Sequence, residues 1–118
     1  WVVFGAGGDR DRSKRPEMGR VAADNAHRVV VTSDNPRSEV PEQIIEEIMA
    51  GIAESEHVRV EADRRTAISL ALHNAAAGDV VVIAGKGHET TQTTGTVVAD
   101  FDDRVVARQI LLEMETVA

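Results

Sequence analysis

At 118 residues with 42% hydrophobic content, the chain is long enough for one domain with a real core, and its formal net charge of −7 argues against a binder of nucleic-acid backbones. It has no cysteine, which excludes a disulfide framework and a thiolate metal site. No apolar run approaches the roughly 20 residues that span a bilayer, so no membrane partner is expected.

The chain opens on Trp1-Val2-Val3-Phe4, an apolar run that reads as a strand. No solvated residues lead into it, so the sequence is expected to be a piece of a longer protein. Gly5-Ala6-Gly7-Gly8 and the charged residues 9–15 then predict a glycine-rich turn and a polar loop. Pro16 suits the first turn of a helix in which Met18, Val21, Ala22 and Ala26 share a stripe. Val29-Val30-Val31 is a β-branched run, the mark of a buried strand, and it leads into the polar turn Thr32-Ser33-Asp34-Asn35-Pro36-Arg37-Ser38-Glu39. Pro41 opens a second helix with Ile44, Ile45, Ile48, Met49 and Ile52 on one face. Residues 57–61 alternate and predict a short edge strand. Asp63 is placed to cap a third helix, with Ile68, Ala71, Leu72, Ala75 and Ala76 as its stripe and Gly78 as its stop.

Val80-Val81-Val82-Ile83-Ala84 has no polar interruption, which predicts a parallel strand covered on both faces. Gly85-Lys86-Gly87-His88-Glu89-Thr90-Thr91-Gln92 follows as a loop. Residues 93–101, broken at Gly95, predict a hairpin or a final antiparallel strand. Asp102 caps a last helix with Val105, Val106, Ile110 and Leu111 as its apolar positions. Strands and helices alternate with short connections, the pattern of an α/β fold with an open, mostly parallel sheet and helices on both faces.

In such a sheet, ligands bind outside the carboxyl ends of the strands. Three loops leave those ends: residues 5–15, 33–39 and 85–92. Asp34 suits an ammonium, Asn35 both donates and accepts, and Arg37 can grip a carboxylate with two parallel bonds, a set matched to the charged head of a free amino acid. The glycines have a structural alternative as tight strand-to-helix turns. Gly5-Ala6-Gly7-Gly8-Asp9-Arg10 begins like a dinucleotide fingerprint, but Arg10 stands in the third glycine's place. Gly85-Lys86-Gly87 lacks both the upstream glycine and the Ser or Thr of a phosphate-gripping loop. His88 reads as a positioning group, His27, His57 and His73 lack metal-ligand spacing, and Asp9 and Asp11 read as fixing their loop. No metal site and no pairing of nucleophile and base is legible.

Four stretches taken in order are familiar. Val3-Phe4-Gly5-Ala6-Gly7-Gly8-Asp9-Arg10-Asp11, Lys14-Arg15-Pro16-Glu17-Met18-Gly19, Asp34-Asn35-Pro36-Arg37 and Ala84-Gly85-Lys86-Gly87-His88-Glu89 resemble the C-terminal domain of the Mur ligase family. The likeness runs over essentially the whole chain, to Asp103-Arg104-Val105 at the last helix, and Asp34-Asn35-Pro36-Arg37 resembles the motif of members that use meso-diaminopimelate in place of lysine. The resemblance implies a Rossmann-like fold, with residues 1–118 forming an amino-acid-binding domain that lacks its first strand and helix. It implies a cytoplasmic, ATP-dependent acid–amino-acid ligase of peptidoglycan synthesis. There the γ-carboxyl of UDP-N-acetylmuramoyl-L-alanyl-D-glutamate is phosphorylated and then attacked by the incoming amine. ATP and Mg2+ would bind mainly to a central ATPase domain of the same parent chain, and this piece alone would be inactive. The contacts to meso-diaminopimelate carry over to Arg10, Asp34, Asn35, Pro36, Arg37, Gly85 and Glu89. Two rivals stand beside this reading: a freestanding nucleotide- or phosphate-binding α/β module, and an interaction domain with an acidic surface. Asp34 and Glu89 discriminate, because acids repel phosphate and attract an ammonium.

Overall fold

The structure, a computed structural model, describes residues 1–53 and 56–117. Strands β1 (Val2–Phe4), β2 (Val29–Val31), β3 (Val58–Val60) and β4 (Val82–Ile83) form one sheet in the order β3-β2-β1-β4, and every neighbouring pair is parallel. Helices α1 (Arg15–Asn25), α2 (Pro41–Met49), α3 (Arg64–Asn74) and α4 (Asp103–Val117) flank it, and a short 3-10 turn (Arg12–Lys14) precedes α1. The expected open parallel sheet with helices on both faces is therefore present. Strands β5 (Thr91–Thr94) and β6 (Val97–Asp100) form a separate antiparallel hairpin, as the break at Gly95 predicts.

The alternation of side chains along a strand divides the core in two. Val3 and Val30 point to one face and meet Ala67, Ile68 and Ala71 of α3 and Val106 and Ile110 of α4. Phe4, Val29 and Val31 point to the other and meet Ile44, Ile45 and Ile48 of α2. Pro opens α1 and α2 near the first helical positions, and the Asp63 carboxylate caps α3 by accepting from the Thr66 backbone N–H at 3.0 Å.

Three expectations fail in detail. The run at residues 80–84 is not covered on both faces: β4 holds only Val82–Ile83 at the sheet edge, and Val80 is 71% exposed. A continuous apolar run signals strand but cannot say where in the sheet the strand falls. In α1 the buried residues are Arg15 and Gly19, not the apolar stripe. Gly19 lets α1 approach α2 so closely that a Cβ there would overlap the Ile48 carbonyl. This turns Met18, Val21 and Ala22 toward an apolar groove of about 590 Å³, shared with Val2, Phe4 and Ala84. Finally, α3 ends at Asn74, and Gly78, at φ +90°, serves the turn beyond it.

Candidate functional site

All three polar loops leave the carboxyl edge of the sheet; the backbones of the first two are in direct contact, and the third meets the second through side chains. A Cβ on Gly5 would overlap the Thr32 carbonyl, and one on Gly8 would overlap the Pro36 carbonyl. The Gly8 N–H donates to the Asn35 carbonyl at 2.7 Å. These glycines are needed for close approach between two loops, since neither Gly5 nor Gly8 has a positive φ.

The turn after β2 is held by the hairpin. The Arg37 N–H donates to the Thr93 carbonyl at 3.0 Å, and the Gly95 N–H donates to the Arg37 carbonyl at 2.6 Å. The Gln92 amide donates to the Asp34 carbonyl at 2.7 Å. Arg37 itself sits at φ +53°, a left-handed conformation that a long side chain adopts only when its surroundings impose it. That conformation lets the Arg37 guanidinium return over the glycine loop, where Nη1 donates to the Gly8 carbonyl at 2.9 Å. A Cβ on Gly7 would lie 2.9 Å from Arg37 Nη1 and 3.6 Å from Arg10 Cγ, so the two arginines flank the same glycine.

Arg10, Asp34 and Gly85 line one cleft of about 380 Å³ together with Gly5, Ala6 and Gly7. Asn35 and Glu89 meet each other instead, with the Asn35 amide donating to Glu89 Oε2 at 3.0 Å. Pro36 is buried beneath, against Gly8. His88 is exposed. Among the described residues no group of three His, Cys, Asp or Glu could hold a metal ion.

Three buried cations escaped the reading of the sequence. Lys86 Nζ donates to the Thr91 carbonyl at 2.7 Å and lies 3.3 Å from Asp34 Oδ1 and 3.4 Å from Asn35 Oδ1. Arg64 makes a two-pronged pair with Asp103, 2.8 Å on each arm, and also donates to the Ser33 and Ala84 carbonyls at 3.0 and 3.2 Å. Those carbonyls immediately precede Asp34 and Gly85, so Arg64 sets the gap from which both loops spring. Arg15 donates to Glu39 at 2.9 and 2.8 Å and to the Gly7 carbonyl at 3.0 Å. Two of the three had a signal: Arg15 and Arg64 each open a helix, the end at which the helix dipole disfavours a cation. A cation placed there must be held by something else.

The Arg15 bonds, followed by a bond from the Asp9 N–H, push the Glu39 carboxyl down to about 2. Glu47 is also held below its ordinary value, chiefly by its bonds with Arg12 at 3.1 and 2.6 Å.

The glycine loop does not fit a nucleotide's phosphates. The Gly8 N–H is bound by Asn35, and the Asp9 N–H donates to Glu39 Oε2 at 2.6 Å, so donors that would cradle an anion already serve the fold.

The family described as Mur ligase, glutamate ligase domain matches residues 1–87. The UDP-N-acetylmuramoyl-L-alanyl-D-glutamate–2,6-diaminopimelate ligase of Thermosynechococcus vestitus is 59% identical over 111 residues, 94% of this chain and 22% of that protein. The ligase of the same name from Listeria monocytogenes is 55% identical over 108 residues, 92% of this chain and again 22% of that protein. A solved structure titled as a UDP-N-acetylmuramoyl-L-alanyl-D-glutamate–2,6-diaminopimelate ligase superposes with a TM-score of 0.92 at 50% identity, covering 98% of this chain and 24% of that one. The chain thus spans under a quarter of the length of these relatives. With a four-stranded parallel sheet, three touching loops at its carboxyl edge and a family match over most of its length, this chain belongs to the Mur ligase family.

Proposed function

We propose that this chain is the amino-acid-binding C-terminal domain of an ATP-dependent ligase that adds meso-diaminopimelate to UDP-N-acetylmuramoyl-L-alanyl-D-glutamate in cytoplasmic peptidoglycan synthesis. The observation that carries the reading is the set of charges gathered at one sheet edge. Arg10 and Arg37 flank Gly7, Asp34 and Gly85 line the adjoining cleft, and Glu89 is bonded to the Asn35 amide. The substrate's non-reacting end is a zwitterion. Arg37 and Asn35 suit its carboxylate, while Asp34 or Glu89 and the Gly85 carbonyl suit its ammonium. Arg10 suits the carboxylate beside the reacting amine.

This domain's work would be to bind and orient the nucleophile. ATP, bound on a central ATPase domain of the same parent chain together with Mg2+, supplies the activation of the acceptor carboxyl. The test is titration calorimetry on the whole ligase with meso-diaminopimelate, lysine and ATP, beside the same titrations on this chain. The whole ligase should bind diaminopimelate in preference to lysine, and this chain should not bind ATP. Magnesium-dependent binding or turnover of ATP by the 118-residue chain would overturn the reading in favour of a nucleotide-binding module.

A further inference from the structure

Lys86 is one of two lysines in the chain, and its side chain is fully buried, behind the loops of the cleft. Burying an ammonium is costly unless its donors are used. Its Nζ faces three oxygens: the Thr91 carbonyl at 2.7 Å, Asp34 Oδ1 at 3.3 Å and Asn35 Oδ1 at 3.4 Å. Asn35 Oδ1 also accepts from the Thr93 N–H at 2.9 Å. The Asn35 side-chain oxygen is therefore turned toward two donors. Were the amide reversed, its NH2 would confront an ammonium and a backbone N–H, with no acceptor for its hydrogens. The orientation is fixed: oxygen inward, NH2 outward, with one amide hydrogen toward Glu89 Oε2 at 3.0 Å.

The same ammonium acts on Asp34. Its Oδ1 lies beside Lys86 without an aligned hydrogen bond, and its Oδ2 faces Gly85, 3.3 Å from where a Cβ there would sit. Asp34 thus comes to the cleft with its charge already balanced from beneath. Glu89 is exposed and has no cationic partner among the described residues.

We propose that Lys86 is a positioning residue of the binding site. With the Thr93 N–H it fixes the Asn35 amide as a donor, the polarity needed to receive a substrate carboxylate, and it offsets Asp34 so that Glu89 is the carboxylate left for an ammonium. Lys86 touches no substrate. This inference rests on the function proposed above.

The experiment is steady-state kinetics in the whole ligase, with diaminopimelate and lysine as alternative substrates. Lysine keeps the distal ammonium and lacks the distal carboxylate. Lys86→Met should raise KM for diaminopimelate about tenfold or more, the scale of a lost charge-assisted contact, with a much smaller change in kcat. The lysine reaction should fall far less. In a double-mutant cycle, Lys86→Met should cost less on top of Asn35→Ala than it does in the wild type, because part of its effect passes through Asn35. Lys86→Gln, which keeps a donor and drops the charge, should move the same parameters less, and it serves if the methionine variant does not fold.

A purely structural lysine would lower the active fraction, so kcat would fall equally for both substrates with KM unchanged. That pattern, or full additivity in the cycle, would overturn the proposal. A wild-type ligase showing no preference for diaminopimelate would instead overturn the functional reading, and this inference with it.

Discussion

Arg64 and Lys86 both bury a cation just behind the carboxyl ends of the strands, each beside one aspartate. The two aspartates are equally buried, Asp103 at 7% and Asp34 at 8% exposure. Burial therefore does not separate them; bonding does. Asp103 takes both arms of its arginine at 2.8 Å, and the guanidinium also satisfies two strand-end carbonyls. Asp34 has an oxygen 3.3 Å from its lysine with no aligned bond, and that residue lines a cleft. A closed ion pair holds the frame, while the incompletely bonded pair beneath the cleft leaves Lys86 free to turn its other donors to the Asn35 and Thr91 oxygens. The unmet hydrogen bond is the discriminating mark.

The sharpest way to break this contrast is Arg64→Ala. Removing one partner of a buried pair strands Asp103 and two carbonyls, and such losses cost about 3–5 kcal/mol of stability. Urea unfolding should show a large drop in midpoint. A loss below about 1 kcal/mol, the scale of an exposed pair, would show that the pair is not a closed brace.

Arg37→Ala tests the other member, since Arg37 lies in the same loop as Asp34. Losing a charged hydrogen-bond partner costs about 1.5–3 kcal/mol, or roughly tenfold to a hundredfold in kcat/KM for diaminopimelate in the whole ligase. Lysine, which lacks the distal carboxylate, should lose far less. Arg37→Lys should recover only part of the loss, because an ammonium cannot make the two-pronged fork. Arg10→Ala should weaken both substrates alike, because both carry the carboxylate beside the reacting amine. Equal losses for the two amino acids in Arg37→Ala would sink the distal-carboxylate assignment.

The same contrast explains what could be read from sequence. The Val29-Val30-Val31 run, the Asp63 cap and the break at Gly95 act through local chemistry, and each produced the element it signals. The convergence of the three loops followed from the rule for parallel sheets. The cations beneath were hidden for physical reasons. Lys86 sits between two glycines in what reads as an exposed loop, and lysine is among the residues least often buried. Its partners Asp34 and Asn35 lie about fifty positions away, with Lys86 to Asn35 separated by 51 residues. The reversal in α1 was hidden likewise, because packing through Gly19 is a property of the α1–α2 crossing and leaves no period in the sequence. Even Arg37 shows only half of its role in the motif: the residue type suggests a carboxylate grip, but the left-handed backbone that swings it over Gly8 depends on the distant hairpin.

The smallest effect is expected at a third cation, Arg15, which lies between the two types. The arginine is buried, but its partner Glu39 is only partly so, and the bonds between them anchor the glycine loop through the Gly7 carbonyl. Glu39 has its pKa depressed from 4.5 to about 2 in the folded chain, first by Arg15 and then by the Asp9 N–H. Between those values the unfolded chain binds more protons than the folded one, so stability rises with pH. The contribution is complete above about pH 4.5 and is lost as pH falls toward about 2. Glu47 is shifted the same way and adds to the slope. Glu39→Gln should therefore flatten the dependence of unfolding free energy on pH across this acid window, leaving the residual slope that Glu47 supplies. Denaturant titrations of both proteins at several acidic pH values measure this directly. If the slopes coincide, the Arg15–Glu39 bonds contribute nothing in solution, and Arg15 must be held by the Gly7 carbonyl and by Glu47 at 3.4 Å. In that case the glycine loop would be tied to α1 by one hydrogen bond, and acid would leave the position of Arg10 unchanged.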